Sequence, residues 1–521
     1  MNVASAEPPR RTLAGLAAAF GLTARGRPED GSGLEVAVTG VSLDNRLTGP
    51  GELFAALPGA RAHGARFAAA AVAGGAVGVL TDAAGADLLT GQEIAVPVLV
   101  AQDPRAVLGQ VASWIYGHPS RRLGTYAVTG TNGKTTTTYF LEHILAALGR
   151  STGLIGTVEL KIGAERTPAR LTTPEAPALH QLLAQMVRSR VDDVVMEVSS
   201  HALELHRVDG VVYEVAGFTN LTQDHLDFHG DMESYFAAKA ALFTPGRARR
   251  GVVLVDDEWG RRLAARAEID VVTVSATRAP AHWQVSAGAP GPAGTPITLS
   301  SADGVELSTT VALPGTFNVA NAAVALVMAL QVGASPEQIT AALPEGLTAV
   351  VPGRMELVAT APRVLVDFAH NTEAIQQALA AVRQGTQGRL FVIFGATGDR
   401  DRGKRASMGA AAVQGADVVV ITDDDPHDED PAGIRAEVMA GAVRALATEQ
   451  QEGRQVDLYE VAPRQAAIAR VIRFAADTDT VLVAGRGHET WQEIAGVDHH
   501  LDDRQEVRKA MAERVQHPTA S

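Results

Sequence analysis

The residues best equipped for chemistry lie in one run, Gly130-Thr131-Asn132-Gly133-Lys134-Thr135-Thr136. An apolar stretch, Tyr126 to Val128, leads into it, and Phe140, Ile144, Leu145 and Leu148 follow at helical spacing. A strand, a glycine-rich turn and a helix in that order aim backbone N–H groups and a helix N-terminus at one point, which suits a polyphosphate. Lys134 would reach the outer phosphates and the Thr135 hydroxyl a Mg²⁺ ion. Val128 stands where the usual G-x-x-x-x-G-K-[ST] pattern has its first glycine, so the bare pattern also fits a glycine-capped turn.

A second group follows downstream. Asp193 to Val198 reads as a strand with Glu197 near its carboxyl end, where the ligands of parallel sheets collect. A carboxylate there suits Mg²⁺; the plainer reading is a solvated strand end. Another strand, Val215 to Phe218, ends in a stretch that carries Asp224, His225, Asp227 and His229. That spacing admits zinc, or a loop of Asx turns with hydrogen-bonding histidines. Lys239, within a helix expected over 232–243, reads by itself as a solvated lysine.

The elements that must position these groups alternate: short apolar strands such as Val418 to Ile421 between longer Ala/Leu-rich segments of helical period. This is the α/β signature of parallel sheets covered by helices. At 521 residues the chain is long enough for three or four domains. Breaks near Asp103-Pro104 and at Val351-Pro352-Gly353-Arg354 divide it into 1–104, 105–350 and 351–521. Basic residues number 45 against 59 acidic, a net charge of −14 without a basic block, which argues against nucleic acid as a partner. The chain has no cysteine, which excludes disulfides, thiolate metal sites and a cysteine nucleophile. The apolar stretch Leu13 to Leu22 is too short to span a bilayer. A cytoplasmic, monomeric protein without membrane insertion is expected.

Taken together and in register, the runs resemble the Mur ligase family, ATP-dependent amide-forming ligases of peptidoglycan synthesis, and within it the MurE type. The resemblance rests on Gly130 to Thr136, Thr172-Thr173-Pro174-Glu175, Met196-Glu197-Val198-Ser199-Ser200-His201, Asn220 to Gly230 with Lys239, Gly315-Thr316-Phe317-Asn318-Val319 with Asn321, Asp367-Phe368-Ala369-His370, Gly398 to Arg405, and Ala484-Gly485-Arg486-Gly487-His488-Glu489. It implies an N-terminal UDP-binding α/β domain, a central P-loop ATPase-like parallel sheet and a C-terminal Rossmann-like domain. It also implies roles. Gly130 to Thr136 would cradle ATP, and Thr135 and Glu197 would hold one Mg²⁺. Lys239 would be a CO₂-derived carbamate that shares a second Mg²⁺ with His225. Asn318 would contact the adenine, and Asp367 and His370 would bring the third domain onto the nucleotide. Thr172, Thr173, Ser199 and Arg207 would grip the muramoyl-peptide, and Asn45, where a Ser is usual, the UDP end. The resemblance further implies a part in cell-wall biogenesis, and through it in cell shape, cell cycle and division.

The implied reaction activates a substrate carboxylate as an acyl phosphate, which the amino group of an incoming amino acid attacks. The partners would be UDP-N-acetylmuramoyl-L-alanyl-D-glutamate and a dibasic amino acid. Arg400 would hold the acceptor's α-carboxylate, Asp424 and Glu489 its amino groups, and Gly485 would also contact the substrate. Asp425 and His427 replace the Asn and Arg of enzymes that add meso-diaminopimelate. An extra carboxylate suits an ammonium end, so L-lysine or L-ornithine is the expected acceptor, with diaminopimelate the alternative. Arg400, Arg402, Lys404 and Arg405 read as a local cation cluster for a polyanionic substrate, or as a solvated loop. Rival readings are another amide ligase of the fold such as a folylpolyglutamate synthetase, a P-loop kinase, and a non-catalytic nucleotide-binding regulator.

Overall fold

The computed structural model describes residues 11–25, 32–59, 61–92, 94–399 and 401–516. Three sheets of five, eleven and six strands follow one another along the chain, with a two-stranded ribbon near the end. The first runs Thr23–Arg25, Val98–Val100, Gly78–Thr81, Glu52–Ala55, Gly40–Ser42, parallel except for the first strand. Apart from the exposed edge strand Thr23–Arg25, these strands are short and largely buried, with helices on both faces.

The central sheet positions the phosphate loop. One of its inner strands, β1 (Gly124–Thr129), leads into α1 (Lys134–Ala147). On one side β1 pairs in parallel with β2 (Asp193–Glu197), and on the other with β3 (Tyr213–Phe218). Three adjacent carboxyl ends therefore converge: the loop after β1, Glu197 on β2, and the segment after β3 that leads to α2 (Met232–Ala240). Thr152–Ile155 and the hairpin Glu159–Ile162 with Glu165–Pro168 add strands beside β2 that the sequence reading passed over. They are short and carry Lys, Glu, Arg and Thr on a half-exposed hairpin, which erases the apolar pattern.

Helix α3 (Thr316–Gln331) runs beneath α1. Asn318 to Ala329 are buried without a break, so the helix has no polar face and is enclosed on all sides. Its asparagines lie just below the loop. A Cβ on Gly133 would collide with Asn321 Oδ1, and Gly133 sits at φ 87, so a side chain is excluded twice over.

The third sheet runs Glu356–Thr360, β4 (Arg363–Asp367), then Thr480–Ala484, Leu390–Phe394, Val418–Ile421 and Asp457–Glu460, parallel after the first strand. Helix α4 (Gly403–Gly415) leads into β5 (Val418–Ile421), and β6 (Thr480–Ala484) lies at the sheet centre. The stretch 351–354 is not an exposed connection: Met355 is buried and its N–H donates to Asp367 Oδ2 at 2.7 Å.

A buried ion pair ties the last helix to this sheet. Arg464 donates through Nε and Nη2 to Asp503 at 2.8 and 2.7 Å, and further to the carbonyls of Ala484 and Asp423. Both side chains are fully buried. Asp503→Ala leaves a guanidinium enclosed without its counter-charge, and denaturant unfolding should show a loss of about 3–5 kcal/mol. No described helix is long and apolar enough to cross a membrane.

Candidate active site

The phosphate loop folds around two lysines. Lys134 Nζ donates to the carbonyls of Gly130 and Thr131 at 3.0 and 2.8 Å, and Lys239 Nζ reaches Gly130 O at 2.8 Å. Lys239 is 1% exposed, which overturns the solvated reading. Helix α2 follows a capping Asp231 and turns Lys239 inward beside Tyr235. Burial, and then the charge of Lys134, lowers the Lys239 amine well below its ordinary value. Burial also lowers Lys134. Glu197 is likewise fully buried rather than a solvated strand end. It accepts from Thr135 Oγ1 at 3.0 Å, from Thr157 N at 2.8 Å and from Thr157 Oγ1 at 3.0 Å. A buried carboxylate and a hydroxyl at the start of α1 form an oxygen donor pair that fits Mg²⁺.

His225 adopts φ 54, held by its N–H bond to Asp224 Oδ1 at 2.9 Å. Burial lowers its imidazole, which leaves a neutral ring with a lone pair for a metal. The zinc reading of this segment fails. Among the described residues, the one group of three potential ligands whose atoms converge is Asp424, Asp425 and Glu489.

The third domain closes over the loop. Asn132 donates to Glu373 Oε2 at 3.2 Å, and Asn371 donates to Asn132 Oδ1 at 3.1 Å. Arg354 Nη2 reaches Thr135 Oγ1 at 3.3 Å. Lys134, Glu197, Asn318, Asp367 and His370 line the resulting cavity of about 280 Å³, together with Arg354. Arg354 was missed in the sequence. It stands in a Pro-Gly-Arg turn that nothing local distinguishes from a linker, and only the approach of the third domain to the phosphate loop gives it a role.

A second cavity of about 320 Å³ adjoins the first, and Asp224, His225, Phe368 and His370 line both. Asp424, Asp425, His427, Gly485 and Glu489 form its far end, where β5 and β6 finish. Buried Arg486, quoted in the sequence motif but given no role there, sits among the acids: its Nη1 lies 2.6 Å from Asp425, 3.6 Å from Asp424 and 3.7 Å from Glu489. Asp425 is therefore already paired and is not the free partner for an ammonium that the lysine or ornithine expectation needed. His427 is turned to Glu493, at 3.1 Å. A Cβ on Gly485 would strike Asp424. Arg400 lies outside the described residues.

The cation cluster is dispersed. Arg405 is buried between Glu429 and Glu437, each at 2.8 Å, and Arg402 also pairs with Glu429. Of the described members, Lys404 alone lines the second cavity.

The expected substrate-gripping residues divide. Thr172 and Ser199 face the phosphate-loop cavity. Thr173 is 1% exposed and its hydroxyl donates to Glu197 O at 2.8 Å, so it shapes the loop from inside. Arg207 pairs with Glu175 at 2.8 Å, and Arg105 holds the same carboxylate at 2.9 Å. Asn45 lines a separate cavity of about 730 Å³ near Arg46, Arg105 and Glu175, between the first sheet and the central domain.

Comparison with known proteins agrees with this architecture. Residues 37–116 match the Mur ligase family catalytic domain, 128–329 the Mur ligase middle domain, and 353–487 the Mur ligase glutamate ligase domain. A Streptomyces avermitilis protein named UDP-N-acetylmuramoyl-L-alanyl-D-glutamate--2,6-diaminopimelate ligase is 48% identical over 91% of this chain and 92% of its own length. A UDP-N-acetylmuramyl-tripeptide synthetase from Leifsonia xyli subsp. xyli is 46% identical over 97% of both chains. The solved structure of a UDP-N-acetylmuramoyl-L-alanyl-D-glutamate--2,6-diaminopimelate ligase superposes with a TM-score of 0.63 at 32% identity, over 93% of this chain and 96% of that one. The chain belongs to the Mur ligase family, among its ATP-dependent amide ligases of the MurE type.

Proposed function

We propose that the chain joins an amino group of meso-2,6-diaminopimelate to one of the two free glutamyl carboxylates of UDP-N-acetylmuramoyl-L-alanyl-D-glutamate, at the expense of ATP. The observation that carries this is the shared wall of the two cavities: a phosphate-binding lysine and a hydroxyl–carboxylate pair on one side, an acid-rich pocket for an amine on the other. The preference for lysine or ornithine gives way for two reasons. Arg486 neutralises Asp425, and relatives at 45–48% identity carry diaminopimelate in their names.

In this reading Lys134 and the amides of Gly130 to Thr136 hold the outer phosphates, with Asn318 toward the adenine and Asp367, His370 and Arg354 closing from the third domain. A glutamyl oxygen attacks the γ-phosphorus, the bond to the bridging oxygen breaks, and ADP departs. The acceptor nitrogen then attacks the acyl carbon, the C–O bond to phosphate breaks, and the nitrogen gives up a proton. Mg²⁺ held by Thr135 and Glu197, with a second ion at His225 and carbamylated Lys239, would neutralise charge on the transferring phosphoryl. Thr172, Thr173, Ser199 and Arg207 orient the peptide, directly or through the loop, and Asn45 receives the UDP end. Asp424 and Glu489 bind acceptor amino groups, Gly485, Asp425 and His427 complete that pocket, and Arg400 is assigned the acceptor carboxylate. The domain limits 1–104, 105–350 and 351–521, a monomer and a cytoplasmic setting belong to the same reading.

ADP release with the UDP-dipeptide and a panel of amino acids tests it, with the product weighed by mass spectrometry. Diaminopimelate should be fastest. A clear preference for lysine or ornithine restores the sequence-based expectation, and release with no amide formed removes the ligase assignment.

Acceptor affinity should depend on pH. Burial, reinforced by Asp424 and Asp425 and opposed by Arg486 and Arg354, pushes the Glu489 carboxyl up to about 8. Below that pH it is neutral and offers an ammonium little; above it the carboxylate is present. KM for the acceptor should fall about tenfold between pH 7 and pH 9, and Glu489→Gln should flatten the dependence.

A further inference from the structure

We propose that Asn371 and Glu373 are positioning residues for the phosphate loop: they grip the Asn132 carboxamide across the domain boundary and so set the loop in its nucleotide-binding shape. The inference rests on Gly130 to Thr136 being the nucleotide loop. Asn132 lies between Thr131, whose carbonyl holds Lys134, and Gly133 at φ 87. Every polar atom of Asn132 has a partner. Its N–H donates to Asn220 Oδ1 at 2.9 Å, and its carbonyl accepts from Thr219 Oγ1 at 2.6 Å and Asn220 Nδ2 at 3.1 Å. Those bonds fix the backbone from the central domain. The side chain turns to the third: Nδ2 donates to Glu373 Oε2 at 3.2 Å, and Oδ1 accepts from Asn371 Nδ2 at 3.1 Å.

The order of donors and acceptors has one consistent solution. A carboxylate accepts and cannot donate, so the amide nitrogen of Asn132 faces Glu373 and its oxygen faces Asn371. Asn371 must then present Nδ2, which leaves its Oδ1 to take the Ala374 N–H at 2.9 Å as the cap of the helix Thr372–Arg383. Glu373 Oε1 is held in turn by Gln377 Nε2 at 3.0 Å, and Gln377 lines the phosphate-loop cavity. Asn371 is buried, so its bond to Asn132 is made away from water and a lost partner is costly. Withdrawal of the third domain would break both bonds and release a side chain next to the Gly133 and Lys134 amides. By linkage, a grip that favours nucleotide is itself favoured by bound nucleotide to the same degree.

The test measures ADP affinity of the full chain by calorimetry, in the parent, Asn371→Asp, Glu373→Ala and Glu373→Gln. Aspartate caps a helix as asparagine does but has no donor for Asn132 Oδ1. Asn371→Asp should therefore keep the parent's thermal midpoint while weakening ADP about tenfold. Glu373→Ala should weaken ADP by a similar factor, and Glu373→Gln, whose amide oxygen still accepts from Asn132, should recover most of it. Asn371→Asp adds a negative charge and Glu373→Ala removes one, so a shared loss cannot be a charge effect on the phosphates. In a double-mutant cycle, Asn132→Ala with Glu373→Ala should lose no more than Asn132→Ala alone. ADP affinity unchanged or raised in Asn371→Asp and Glu373→Ala, or additive losses in the cycle, overturn the proposal. Should Asn371→Asp not fold, the two Glu373 variants and the cycle decide. A parent that binds no ADP refutes the nucleotide-loop reading itself, whereas a binding parent with unmoved variants refutes only the grip on Asn132.

Discussion

Lys134→Ala is expected to lower kcat for ADP release by on the order of a thousandfold while the chain remains folded, the loss that follows removal of one preorganised donor at a developing charge. The lysine is well placed for this. Its ammonium is held by Gly130 and Thr131 carbonyls at 3.0 and 2.8 Å, bonds that a triphosphate can replace without moving the backbone. Burial already depresses its pKa, so the site favours an anionic partner beside it. Folding should survive because α1 is anchored elsewhere, through the fully buried Phe140, Leu141 and Ile144. Single-turnover kinetics and thermal unfolding of the same preparation separate the two effects. Parent-like turnover in a folded Lys134→Ala chain sinks the assignment of this loop to phosphoryl transfer.

Lys239→Ala is expected to cost about 100-fold in kcat, the size of effect found when groups that set a metal centre are removed. An uncharged amine is the form that adds CO₂, and burial beside Lys134 holds Lys239 well below its ordinary pKa. The adduct turns an amine that faces another lysine into an anion, which attracts that lysine and would supply oxygen ligands for a second metal ion. Carbon-13 NMR of the parent under labelled bicarbonate should show a carbamate signal that Lys239→Ala lacks. A missing signal in an active parent removes the carbamate. Activity unchanged in the variant removes the lysine from the chemistry altogether.

Some of this was legible before any fold was known. The phosphate loop was readable because strand, turn and helix are contiguous, so local pattern and function coincide in Gly130 to Thr136. Glu197 and Lys239 were visible only as candidates. Their burial depends on β2 lying next to β1 and on α2 turning inward, neither of which is a property of neighbouring residues. The acceptor pocket was the least legible. Asp425 reads as a free acid along the chain, yet Arg486, on a different loop, neutralises it across the ends of β5 and β6. Arg402, Lys404 and Arg405 read as one basic patch, but the start of helix α4 turns Arg402 and Arg405 onto Glu429 and Glu437 and leaves Lys404 facing a cavity.

The sequence by itself determined the α/β class, the phosphate loop and the family, because each resides in contiguous pattern or in motifs held in order. The tertiary structure alone decided which charges are spent and which remain available: Arg354 on Thr135, Arg486 on Asp425, Lys404 facing a cleft. Electrostatic pairing depends on distance through space and on the exclusion of water, and neither exists until the three sheets have packed.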